Sequence, residues 1–210
     1  AFSEIKSIPE SAEEISDFIQ LIPFEQPSFR AALEMALLDY LQGKDGIYFD
    51  NSFARGETSL PINGLIWMGS PEFMRQQIAD KLAEGYSCLK LKIGAIDFEQ
   101  EMEIISEIRS NFSATELTIR VDANGAFSPQ EAPSKLERLA KIDIHSIEQP
   151  IRAGQWKAMR DLCRLNLLPI ALDEELIQAT DPQALLESIQ APYIILKPSL
   201  LGGFGASNAW

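Results

Sequence analysis

Five charged residues recur at nearly even intervals along the later part of the sequence: Lys92, Asp122, Glu148, Asp173 and Lys197, separated by 30, 26, 25 and 24 residues. Each closes a short apolar run rich in β-formers. Successive side chains of a strand point to opposite faces. In Cys88-Leu89-Lys90-Leu91-Lys92-Ile93 the leucines and the isoleucine can therefore face one way while Cys88, Lys90 and Lys92 face the other. The same phase turns Ile119 and Val121 outward and Asp122 inward, and sets Ile147, Leu172 and Leu196 beside Glu148, Asp173 and Lys197. Unpaired charges on a buried strand face carry a large desolvation cost, so a set in register needs a compensating partner. Three carboxylates converging from adjacent strand ends repel one another unless a cation lies between them. Asp122, Glu148 and Asp173 include no His or Cys, and an all-oxygen set suits a hard ion, Mg²⁺ or Mn²⁺, with positions left for water and substrate. Lys90 and Lys92 would flank that metal on one side and Lys197 on the other. A lysine near a divalent cation and a second ammonium has its charged form disfavoured, which makes Lys92 usable as a base, with Lys90 deeper in the strand tuning it. The same charges could instead form a buried ion-pair network without metal. Their register at successive strand ends favours the metal site.

The elements that must position these residues are strands alternating with helices. Six strands are expected, over Leu60 to Trp67, Ser87 to Ile93, Leu117 to Asp122, His145 to Glu148, Ile170 to Asp173 and Tyr193 to Lys197. Helices are expected over Ser70 to Glu84, Phe98 to Asn111, Ser128 to Lys141, Gln155 to Leu165 and Asp181 to Ser188, two of them with Pro at the first position. Before residue 58 the pattern is helical. One run starts at Ser11, and another follows Pro27-Ser28 with Ser28 as N-cap and Gly43 as stop. Alternation alone fits both a barrel and a doubly wound open sheet. Charges at one end of successive strands, where barrel enzymes carry their catalytic groups, decide for the barrel. The expectation is an α/β protein, a partial (β/α)₈ TIM-type barrel of about six βα units over residues 58–210, with residues 1–57 a separate helical region. Six strands leave the first and last as open edges, so the 210 residues by themselves are expected to be an incomplete enzyme.

A formal net charge of −13 argues against nucleic acid or an anionic membrane surface as partner. No apolar run approaches the length of a membrane span, and Ala1-Phe2-Ser3-Glu4 does not open a signal peptide. Cys88 and Cys163 are far apart in sequence and form no metal-ligand motif, which suits a reduced, cytoplasmic setting. His145, the single histidine, is expected to be structural, and Cys88 inert. Trp67, Trp156 and Phe98 are expected to pack core or helix faces. Gly202-Gly203-Phe204-Gly205 lacks the context of a phosphate cradle and is expected to be a turn.

Lys90-Leu91-Lys92, Val121-Asp122-Ala123-Asn124, Ile147-Glu148-Gln149-Pro150, Ala171-Leu172-Asp173-Glu174 and Leu196-Lys197-Pro198 together resemble the enolase superfamily, in its muconate-lactonizing branch. The resemblance implies that Asp122, Glu148 and Asp173 hold Mg²⁺, that Lys92 is the acid–base residue with Lys197 its counterpart, and that Asn124 and Glu174 support the site. It also implies that residues 1–57 belong to a capping domain. Asn63-Gly64-Leu65-Ile66-Trp67 and Ile195 to Gly203 are most similar to the o-succinylbenzoate synthases, which form o-succinylbenzoate for menaquinone biosynthesis by loss of water from a cyclohexadiene carboxylate. By that resemblance Lys92 removes the proton next to the carboxylate and then assists departure of the hydroxyl, while Lys197 stays a cation beside the ring. The alternatives are an amino-acid-derivative or dipeptide racemase or epimerase of the same superfamily, a Schiff-base aldolase using Lys197, and a non-catalytic binding module.

Overall fold

The computed structural model describes residues 8–43, 47–177 and 179–210. The N-terminal stretch Ala1 to Glu4, read above for a targeting signal, lies outside them. In chain order the helices are α1 (Ala12–Gln20), α2 (Pro27–Leu41), α3 (Pro71–Ala83), α4 (Phe98–Asn111), α5 (Ala132–Ala140), α6 (Trp156–Leu165), α7 (Glu174–Ile177), α8 (Pro182–Ile189), α9 (Pro198–Leu201) and α10 (Phe204–Ala209). The strands are β1 (Gly64–Ile66), β2 (Cys88–Lys92), β3 (Thr118–Asp122), β4 (Ser146–Glu148), β5 (Ile170–Leu172) and β6 (Tyr193–Ile194). The chain forms two compact units, one of Ala1–Pro61 with Leu196–Trp210 and one of Ile62–Ile195.

In the larger unit all six strands are parallel and lie in sequence order, β1 to β6. A doubly wound sheet reverses its strand order at a switch point. The unbroken order here is that of successive βα units of a barrel, as expected from the strand-end charges. Alternation in β2 buries Leu89 and Leu91 completely and leaves Cys88, Lys90 and Lys92 half-buried on the other face. Ile119, Val121, Ile147 and Leu172 continue the apolar face, and β4 and β5 are buried on both sides, as parallel strands commonly are.

Local chemistry sets most helix boundaries. The Ser70 hydroxyl accepts from Phe73 N at 3.2 Å with Pro71 in the first turn of α3, and Asp97 caps α4 through Glu99 N at 3.1 Å. Four elements depart from the expected bounds. α2 starts at Pro27 after Gln26, so Ser28 lies inside the helix. Pro lacks the N–H that the first helical position leaves unused, and so it takes that place itself. α5 starts at Ala132, after a turn in which Ser128 and Glu131 bond each other at 2.6 and 3.3 Å. β1 and β6 are shorter than read: Leu60 and Ile62 are exposed and unpaired in the sheet, and Leu196 and Lys197 fall beyond β6. Pro198 opens α9 and restrains Lys197 before it, ending the strand early.

In the smaller unit Ile15, Ile19 and Ile22 form a core with Phe18, Leu33, Leu37, Leu38 and Leu41. Glu34, buried in α2, accepts the backbone N–H groups of Phe204 and, at 3.0 Å, Gly205. Gly203 has φ +113°, and a Cβ there would lie 2.0 Å from Glu34 Oε2; the expected turn is confined to Gly202-Gly203, while Phe204 and Gly205 already belong to α10, whose start Glu34 anchors. Among the described residues no helix is long and apolar enough to cross a membrane.

Candidate active site

Parallel register places the charged residues on one level. Lys92 pairs with Asp122 and Asp122 with Glu148 across β2, β3 and β4, so their side chains leave the sheet on one face. Ala171 pairs with Glu148, and Asp173, two residues beyond, shares that face just past β5. All three carboxylate residues are buried.

The lysines reach directly into this group. Lys90 Nζ donates to Glu148 Oε2 at 2.5 Å and lies 3.1 Å from Asp122 Oδ2. Lys92 Nζ is 3.0 Å from the same Asp122 oxygen and donates to Asn124 Oδ1 at 2.6 Å. Asn124, held at φ +44°, donates its backbone N–H to Asp122 Oδ1 at 3.1 Å and its side-chain amide to Glu174 Oε1 at 2.9 Å. Lys90, Lys92, Asp122, Asn124, Glu148 and Glu174 thus form one connected network. Asp173 is buried beside it, its backbone N–H bonded to Gln149 Oε1 at 3.0 Å. Lys197 belongs to the other unit, where it is the N-cap of α9.

Charge is unevenly balanced. Burial is the largest influence on Glu148; reinforced by the neighbouring Asp122 charge and only partly offset by the Lys90 hydrogen bond, it pushes the carboxyl up to about 7. Burial acts the same way on Asp122, but Lys90 and Lys92 outweigh it and hold that carboxyl below its usual range. Burial pulls the Lys90 ammonium down, yet Glu148 and Asp122 together hold it above its ordinary value.

Among the described residues no three His, Cys, Asp or Glu side chains are grouped closely enough to hold a metal ion. The expected convergence of Asp122, Glu148 and Asp173 on one ion is therefore not formed as such, and the reason lies in the contacts: the Lys90 ammonium lies between Asp122 and Glu148, and Lys92 adds to the balance. The donors still suit a hard cation. They are all carboxylate oxygens on one face, and Glu148 Oε1 is buried without a hydrogen-bond partner, an electron-rich atom for which Lys90 supplies no contact.

A family profile described as Enolase C-terminal domain-like matches residues 73–209. The chain belongs to that family. It is 58% identical over 186 residues to the o-succinylbenzoate synthase of Desulfotalea psychrophila, a stretch covering 88% of this chain and 50% of the relative. The crystal structure of MenC from the same organism superposes with a TM-score of 0.86 at 51% identity, covering 95% of this chain and 57% of that one. The L-Ala-D/L-Glu epimerase of Bacillus subtilis is 26% identical over 183 residues, covering 86% of this chain and 50% of the relative. The chain spans about half the length of these curated relatives.

In this enolase-like chain the structure adds site residues that sequence reasoning passed over. Trp67, expected to pack a core or helix face, is 55% exposed, with its ring centroid 5.7 Å from Lys92 Nζ. Gln77 of α3 clamps its backbone, accepting from Trp67 N and donating to Trp67 O, both at 3.0 Å. Its position one residue past β1, at the same strand end as Lys92, was the available signal. Glu101 accepts Gly94 N at 2.6 Å, tying α4 to the loop that follows Lys92. His145 bonds Ser146 Oγ through Nδ1 at 2.9 Å and stacks on Tyr193. Cys88 donates to Asn63 Oδ1 at 3.0 Å, and burial pushes its thiol up. A cavity of about 300 Å³ bounded by Asn63, Lys90, Arg120, His145, Glu148 and Tyr193 lies on the inner face of the sheet.

Proposed function

We propose that the intact protein is an o-succinylbenzoate synthase, a magnesium-dependent lyase that dehydrates a cyclohexadiene carboxylate to an aromatic ring in menaquinone biosynthesis. The observation that carries this is the 58% identity to the D. psychrophila enzyme over 88% of the chain. Asp122, Glu148 and Asp173 would hold Mg²⁺, with Mn²⁺ able to substitute, and Lys90 would have to leave Glu148 and Asp122. When bound there, the ion supplies positive charge that offsets the charge developing on the substrate carboxylate. Lys92 does the proton chemistry. As a neutral amine it has two N–H groups and one lone pair. If the N–H groups keep the directions of Asp122 Oδ2 and Asn124 Oδ1, the lone pair is left to face the substrate. Lys92 takes the proton from the carbon next to the carboxylate. The resulting ammonium returns a proton to the departing hydroxyl, so the balance is substrate to product plus water. Asn124 and Glu174 hold Lys92 in aim, and Lys197 would stand as a cation beside the ring. The same reading makes residues 1–57 part of a capping region and 58–210 the catalytic domain, acting on a small carboxylate substrate in the cytoplasm.

The test is dehydration of the cyclohexadiene substrate by the intact gene product, with and without EDTA. Turnover that EDTA abolishes and Mg²⁺ restores supports the reading; turnover indifferent to EDTA but trapped by borohydride would point to a Schiff-base aldolase instead. Similarity to the B. subtilis epimerase supports a second reading, racemisation or epimerisation of an amino-acid derivative or dipeptide by Lys92 and Lys197 on opposite faces. Deuterium exchange at the α-carbon of a dipeptide in D₂O, without dehydration activity, would favour it. Purified protein that binds metal and turns over none of these substrates would leave a binding module.

A further inference from the structure

Gln149 follows Glu148 directly, is 0% exposed, and holds φ +39° in the left-handed region. Its side chain uses every hydrogen-bonding position a primary amide has. Oε1 accepts from Asp173 N at 3.0 Å and Glu175 N at 3.3 Å, and Nε2 donates to Ile151 O at 3.0 Å and Glu175 Oε2 at 3.1 Å. The other Glu175 oxygen accepts Gly154 N at 2.8 Å. Gln149 N donates to Ala171 O at 2.9 Å, and Gln149 O accepts from Gly125 N at 2.7 Å. One residue therefore ties the end of β4 to the turn after β3, to β5 and to α7. A hydrophobic side chain would fill the same space. Four directed bonds instead specify where the Asp173 and Glu175 backbone stands relative to Glu148.

We propose that the buried Gln149–Glu175 pair is the positioning device that sets the spacing of Glu148 and Asp173, and through that spacing the divalent-metal affinity of the site. This rests on the metal site proposed above. The amide fixes the backbone on which Asp173 stands, while the residue before it carries Glu148. Mg²⁺ demands near-ideal octahedral oxygen positions, so a shift between these two residues reads out as lost affinity.

The experiment is a Mn²⁺ titration followed by electron paramagnetic resonance on the intact gene product, together with the melting temperature of the metal-free protein. Gln149→Leu leaves the Asp173 and Glu175 amides without their acceptor, and Gln149→Glu sets a carboxylate against Glu175. Each is expected to weaken Mn²⁺ binding about tenfold or more, the size found for residues that orient metal ligands. The reciprocal exchange, Gln149→Glu with Glu175→Gln, restores the amide–carboxylate contact but not the bond to Ile151 O, and should recover part of the lost affinity. Should neither Gln149 single variant fold, the exchange is compared with Glu175→Gln alone, and tighter Mn²⁺ binding by the exchange supports the proposal. Variants that melt lower yet bind Mn²⁺ as tightly as the wild type, or an exchange that binds no better than its single parents, overturn the positioning role. A wild type that binds no Mn²⁺, or binds it unchanged after Asp122→Asn, overturns the metal reading itself.

Discussion

Lys92 is held by two acceptors of different kinds, the Asp122 carboxylate at 3.0 Å and the Asn124 amide oxygen at 2.6 Å. Removing the amine takes away the proton acceptor and leaves the carboxylates in place. Lys92→Ala in the intact protein should therefore lower kcat by at least about 10²- to 10⁴-fold, the usual worth of a positioned acid–base group, with Mn²⁺ affinity little changed. Lys92→Arg should fail too, because a guanidinium does not release its proton at working pH. Near wild-type turnover by either variant would refute the role. Trp67 stands beside this amine with its backbone clamped and its ring exposed. Trp67→Phe, which keeps an aromatic face, should retain more of kcat/KM than Trp67→Ala; equal loss in the two would show that the ring does not matter. Cys163 carries a different prediction. Burial pushes its thiol up to about 11. Only the thiolate is nucleophilic, so at pH 8 roughly one molecule in a thousand is reactive there, and iodoacetamide should label Cys163 far more slowly than free cysteine, faster as pH rises toward 11. Labelling at the free-cysteine rate at pH 8 would contradict the burial.

At the scale of elements, the segment joining β2 to α4 follows directly on Lys92. Gly94 has φ +94°, its N–H is held by Glu101 of α4, and a Cβ there would lie 2.4 Å from Ala126 Cβ. Gly94→Ala should cost about 1–3 kcal/mol through backbone strain, with a further loss from the clash, measurable by chemical denaturation. Gly94→Ala with Ala126→Gly removes the clash but not the strained φ, so it should recover only part of the stability. Full recovery would show that the backbone conformation costs nothing. Helix starts follow the same logic on a smaller scale: the Ser70 cap and Pro71 fix where α3 begins, and α3 carries the Gln77 that clamps Trp67.

For the whole molecule, β1 pairs only with β2 and β6 only with β5 among the described residues. Strand edges with unpaired backbone groups invite association. The chain also spans about half the length of its curated relatives. Residues 1–210 produced alone are accordingly expected to self-associate, to bind Mn²⁺ weakly and to show little dehydration activity beside a chain of the relatives' full length. Equal specific activity for the two would show that the six-stranded unit already holds all the chemistry needs.

The spacing and type of Lys92, Asp122, Glu148 and Asp173, their common face, and the strand–helix alternation were all legible in the sequence. These depend on near neighbours: a strand alternates with period two, and a cap such as Ser70 acts within one turn. α4 even occupies the span read for it. Strand ends were less legible where a proline intervened, as at Lys197-Pro198, because a helix starting at Pro198 competes with one more strand residue. What tertiary structure alone decided is which charge meets which. Lys90 bonds Glu148 from 58 residues away, and Gln149 bonds Glu175 from 26 away. Those separations along the chain say nothing about distance in space until parallel register sets Lys92, Asp122 and Glu148 on one level. Trp67 was legible only in part: its place one residue past β1 sets it at the strand end of Lys92, but only packing shows which face of the ring is left to solvent.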